Sequence, residues 1–208
     1  MYSNCQQALP MPLPMPKKTD PQGKPDKAFE AELARRLRER ARDLLAGQTE
    51  VLQILKDART QILATLAGLP SDWQQWQLSR LLGQIEDVLE GASGKAGVLF
   101  GLRMDGAWRA GEDIIDKPLA LIGQAVELRL AQLDVGVLKQ MKAFGTLRLK
   151  DVGQEALRKI GRQLGLVTIG GQTPFAAIKQ VQALLEGESP RRATAIVHTQ
   201  VSRAFALA

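Results

Sequence analysis

From Leu37 onward the apolar positions fall into a four-three rhythm: Leu37, Ala41, Leu44, then past Gln48 to Val51, Leu55, Ala58, Ile62 and Leu69. A spacing that averages three and a half residues lays one stripe along one side of a helix. Sustained over about four heptads, it is the seam of packed helices. Leu33, Leu45, Leu52, Leu63 and Leu66 widen that stripe, which suits a bundle better than a two-stranded coil. Asp26 can cap the first turn, so the pattern predicts a helix from about Lys27. Gly47 and Thr49 keep a helical hairpin open as an alternative, but the unbroken phase favours one long or slightly kinked helix.

Leu69-Pro70-Ser71-Asp72 ends this unit, and a second helix is expected over about 72–90. Residues 91–111 carry Gly91, Gly94, Gly97, Gly101, Gly106 and Gly111 on a pattern that is still helical. Each interior glycine costs about 1 kcal/mol against alanine, so the run implies close helix approach or a hinge. Gly91-x-x-Gly94-Lys95 lacks the spacing of a phosphate loop and has no strand before it, which sets nucleotide binding aside. Pro118 predicts a break, followed by a helix over 119–132 and a short one near 135–143. Residues 146–151 read as a loop, with Asp151 capping a helix over 152–164. Gly170-Gly171 reads as a turn. Thr173-Pro174 opens a helix over 174–186 that Gly187 ends, and Ser189-Pro190 begins the last one. No segment reads as a strand, and no repeat of fixed period occurs. The fold class is therefore all-α: an elongated helical bundle with a long N-terminal helix or helical hairpin, preceded by a Pro-rich extended arm.

Composition agrees, at 45% hydrophobic but only 4% aromatic, with Leu and Ala dominant. Residues 1–26 hold six of the ten prolines, including Pro10, Pro12, Pro14 and Pro16 alternating with Met and Leu. That alternation favours a polyproline-like tether and excludes a helical signal peptide. No apolar run approaches the roughly 20 residues of a membrane-spanning helix, so a soluble protein with no membrane partner is expected. One Cys (Cys5) and one His (His198) rule out an internal disulfide and a His/Cys metal site, and no cofactor is expected.

Charge divides the chain. Residues 1–138 hold 17 Lys/Arg and 18 Asp/Glu, a balance of −1; residues 139–208 hold 11 and 4, a balance of +7. With the arm at 1–26, this gives a helical body over 27–138 and a basic helical region over 139–208. The early arginines Arg35, Arg36, Arg38, Arg40 and Arg42 are interleaved with Glu30, Glu32, Glu39 and Asp43, a salt-bridged solvent face. Lys139, Lys142, Arg148, Lys150, Arg158, Lys159 and Arg162, with Arg191 and Arg203, have few acids among them. They are the candidates for contact with DNA or an acidic partner. No aromatic stacking platform accompanies them, so single-strand recognition is not favoured. A helix-turn-helix over 152–186 would need a connection of about nine residues, longer than the 3–4 of that motif. The carboxylate pairs Glu112/Asp113 and Glu186/Glu188 sit among solvent-type neighbours. Nothing pairs with His198 as a nucleophile, so no catalytic residue and no enzyme activity are expected.

The last eighteen residues carry Arg192-Ala193-x-x-Ile196-x-x-Thr199-Gln200-x-x-x-Ala204. This resembles the signature helix that closes the conserved region of phage minor head proteins, the family typified by protein F of phage Mu. There the pattern is roughly Arg-Ala-x-x-Ile-x-x-Thr-Glu-x-x-x-Ala; here Gln200 replaces the Glu, and His198 stands where Arg is common. The upstream order is similar too: basic helix, Gly-Gly-x-Thr-Pro turn, amphipathic helix and short acidic linker. The resemblance covers about residues 139–208 and extends weakly into the helices before them. It implies a virion component at the head or portal vertex, assembled in the host cytoplasm, in several copies. The implied partners are portal protein, major capsid protein and packaged double-stranded DNA. The runner-up reading is a helical DNA-binding or adaptor protein unrelated to virions.

Overall fold

The computed structural model describes residues 27–68, 75–121 and 131–208. They form five helices: α1 (Lys27–Ala67), α2 (Gln75–Leu121), α3 (Ala131–Thr168), α4 (Pro174–Glu186) and α5 (Glu188–Leu207). No strand occurs among the described residues, and the all-α bundle holds. The proline-rich arm lies outside the described residues, as do the Leu69–Asp72 boundary and residues 122–130 of the helix expected over 119–132.

α1 runs up, α2 down and α3 up. α4 and α5 then run down in succession with only Gly187 between them, so five helices make four rods. At 1.5 Å per residue the first three rods span about 60, 70 and 57 Å, which makes the bundle elongated. One end of the core joins Ile62 and Leu66 of α1 to Leu81 and Ile85 of α2, Ile160 and Leu164 of α3, and Ala177 and Val181 of α4. The other joins Val51 to Phe100, Met104 and Trp108 of α2, Leu149 of α3, and Ala193, Val197, Val201 and Ala204 of α5. Fully burying one such large apolar side chain stabilises the fold by roughly 1.5–3 kcal/mol.

α1 is one helix, and the hairpin alternative is not realised. Thr49 does not cap a new helix; its hydroxyl donates to the Leu45 carbonyl at 2.9 Å within the same one. Gly47 is tolerated because the Arg103 side chain lies across it, its Cγ 3.2 Å from where a Cβ would stand. The predicted seam is buried at Val51, Ala58 and Ile62, but Leu37 is 43% exposed. α5 reaches its C-terminus near Arg40, whose guanidinium lies 4.0 Å from the Phe205 ring. The first turns of α1 therefore pack chiefly on α2.

Two expected breaks and one expected cap are absent. Pro118 lies inside α2, near its end; it removes one i→i−4 hydrogen bond, that to the Ile114 carbonyl, and its ring is fully buried. Residues 146–151 are helical, so Asp151 caps nothing. The reason is spacing: Gly145, Leu149, Val152, Ala156, Ile160 and Leu164 all face the core from one unbroken helix. Ser189 likewise caps nothing, since α5 already begins at Glu188 with no side-chain cap. The 170–171 turn and the 174–186 helix hold as expected. Gly170 has φ +73°, and the Gly171 N–H donates to the Leu166 carbonyl at 2.7 Å, closing α3. The Thr173 hydroxyl accepts from the Ala176 N–H at 3.2 Å. Because α3 continues to Thr168, the α3–α4 connection is 169–173 rather than nine residues.

Candidate functional site

The signature positions separate into inward and outward residues. Ala193 and Ala204 are buried, Ile196 packs against the same core, and Val197 and Val201 complete that face of α5. Arg192 reaches α3, where its guanidinium donates to Glu155. Glu155 also pairs with Lys159 at 3.1 Å, and Lys159 reaches Glu188 at 2.6 Å. The Arg192 hydrogen bond, then that of Lys159, pulls the Glu155 carboxyl from the usual 4.5 to about 2. Four charges thus pin the start of α5 to the middle of α3. Thr199 and His198 are exposed and Gln200 is half-buried.

The nine basic candidates differ in what they already hold. Lys142 is committed to Asp105 of α2, 2.8 Å and 2.9 Å from its two carboxylate oxygens, and Lys159 to its two glutamates. Lys150 lines a groove of about 310 Å³ between α2 and α3 that also contains Glu86 and Glu90. Lys139, Arg148, Arg158, Arg162, Arg191 and Arg203 are exposed, with no ion-pair partner among the described residues. At about 100° per residue, Arg158 and Arg162 lie on the outermost line of α3, and Arg148 on its flank. Lys139 and Lys150 project from the opposite flank. The candidates therefore do not form one patch; Arg158 and Arg162 form its densest free part.

The carboxylate pairs serve structure. Glu112 accepts from the Trp108 indole N–H at 3.0 Å, Asp113 pairs with Arg36 and Lys117, and Glu186 accepts from Arg59 at 3.1 Å. No group of three or more metal-ligating side chains occurs among the described residues.

Lys179 and Arg80, exposed cations, and Ile169 and Phe175, each 78% exposed, were not singled out by the sequence reading. A signal for the first was present: from Ala156 to Leu185 the chain has four basic residues and no Asp or Glu. Site and fold together define an all-α, four-rod bundle with a basic end. No family model, curated protein or solved structure matches the chain.

Proposed function

We propose that the chain is a phage minor head protein that acts in head assembly and in DNA packaging or ejection. The observation that carries this reading is the closing helix. The residues that match the head-morphogenesis signature include those that fasten α5: Arg192 through Glu155, and Ala193, Ile196 and Ala204 through the core. That these matching positions face the core and α3 supports reading them as a helix-packing motif. On this reading the helical body docks on portal or capsid protein at the head vertex. The proline-rich arm tethers it there, and the free arginines of α3 meet packaged DNA through phosphates, without base specificity.

The DNA contact is tested by gel retardation of a duplex of arbitrary sequence. Arg158→Glu with Arg162→Glu should abolish retention. Lys142→Gln should leave it unchanged, because that ammonium is already held by Asp105. Equal retention by wild type and the arginine double variant would remove DNA from the account.

A further inference from the structure

The bundle end built from the C-termini of α1 and α3 and the N-termini of α2 and α4 differs from the rest of the molecule. Among the described residues, 58–68, 75–85 and 156–185 contain no Asp or Glu. The shared core of Ile62, Leu66, Leu81, Ile85, Leu164 and Ala177 brings these segments together. They carry six cations. Arg59 and Lys159 face glutamates just beyond this zone, whereas Arg80, Arg158, Arg162 and Lys179 are exposed without an ion-pair partner among the described residues. At the opposite end both signs are interleaved, and Glu32, Arg35, Arg36, Glu39, Asp113 and Lys117 pair among themselves.

At the tip of this end stands the α3–α4 turn. Ile169 and Phe175 flank Gly170-Gly171, each 78% exposed, the most exposed large apolar side chains among the described residues. Gln172 folds back to the Gln163 side chain at 3.3 Å and to its carbonyl, which holds the turn in a fixed shape. The result is a convex, pre-ordered knob with two apolar side chains at its crest and free cations behind it.

We infer that this knob is a peripheral docking site for an anionic lipid surface. Ile169 and Phe175 enter the headgroup–acyl boundary while Arg162, Lys179, Arg158 and Arg80 meet the headgroup phosphates. Apolar residues ahead of a Lys/Arg belt match the two attractions of an interfacial site. A second copy of the chain is disfavoured because two ends that each carry these four free cations repel. DNA would account for the cations but not for two bare apolar side chains on a convex tip. A protein groove would have to be deep, apolar and acid-rimmed, whereas a bilayer receives a convex knob without a preformed pocket. No described helix is long and apolar enough to cross a membrane, and a peripheral contact requires none.

The site shares Arg158 and Arg162 with the DNA reading but adds Ile169 and Phe175, and substitutions at those two apolar residues separate the readings. The full chain is floated with vesicles of phosphatidylcholine alone or of phosphatidylcholine with one-third phosphatidylglycerol, in low and moderate salt. The wild type should float with the anionic vesicles only, and less as salt rises. Ile169→Ser with Phe175→Ser should lower vesicle binding at least tenfold while leaving DNA retention intact, since neither side chain is needed for phosphate contact. Both are surface residues, and unchanged circular dichroism verifies folding. With Cys5→Ser, an environment-sensitive fluorophore on Ile169→Cys should brighten with anionic vesicles. No flotation at low salt would overturn the proposal. So would flotation that the double serine variant does not reduce, or loss of DNA retention without any vesicle binding.

Discussion

Glu155 shows how one side chain links the signature helix to the fold. It receives Arg192 from α5 and Lys159 from its own helix, and these hold its carboxyl at about 2. A carboxyl depressed in the folded state stabilises it above the unfolded value near 4.5, and that contribution is lost as pH falls toward the folded value. Glu155→Gln should therefore flatten the fall of Tm between pH 4.5 and about 2 relative to wild type. Glu32, lowered to about 2 chiefly by Arg35, retains its own part of that fall. Parallel acid limbs in the two proteins would show that the Glu155 node contributes nothing. Arg192 was conspicuous in the sequence as a motif residue. Its partner was not, because Glu155 lies 37 positions away and only the antiparallel course of α3 and α5 brings them together.

Between elements, glycine decides how closely helices approach. A Cβ at Gly145 would overlap the Phe100 ring, and one at Gly111 would lie 2.5 Å from the Phe205 carbonyl oxygen, whereas one at Gly94 would meet nothing within 4 Å. Gly145→Ala should destabilise the bundle by about 1–3 kcal/mol through overpacking in denaturant titration. Gly94→Ala should stabilise it by up to about 1 kcal/mol from helix propensity alone. Equal effects would show that α2 and α3 do not meet as described. The sequence reading of residues 91–111 left close approach and hinge open. Gly97 and Gly101 meet Thr146 and Lys142, while Gly91, Gly94 and Gly106 face open space, so the run serves approach at some positions and neither role at others. Composition cannot separate these groups; the partner helix does. Thr173-Pro174 and Gly187, by contrast, act through local backbone chemistry, and α4 was legible to the residue. The missed continuity of α3 has the same origin. Charged and polar residues at 146–151 look like a loop locally, while Leu149 and Val152 take their meaning from distant core neighbours.

On the scale of the molecule, the +7 of residues 139–208 is partly spent within the fold, as Lys142, Lys159 and Arg192 hold other helices. The free remainder is densest toward the α3–α4 end. If Arg148, Arg158 and Arg162 each neutralise one phosphate, the logarithm of the DNA association constant should fall with the logarithm of salt concentration with a slope of about −3. A slope near zero would be incompatible with phosphate contact. The four-rod fold follows from hydrophobic period and caps, whereas the distribution of free charge depends on ion pairs across helices that no local window reveals. If this bundle serves at a phage head vertex, as proposed, portal protein from the same genome is its most direct test. Mixed with that portal and passed over a size-exclusion column with light scattering, the chain should co-elute at a fixed stoichiometry to the portal ring. Separate elution of the two at micromolar concentration, with the chain folded and the portal ring intact, would contradict it.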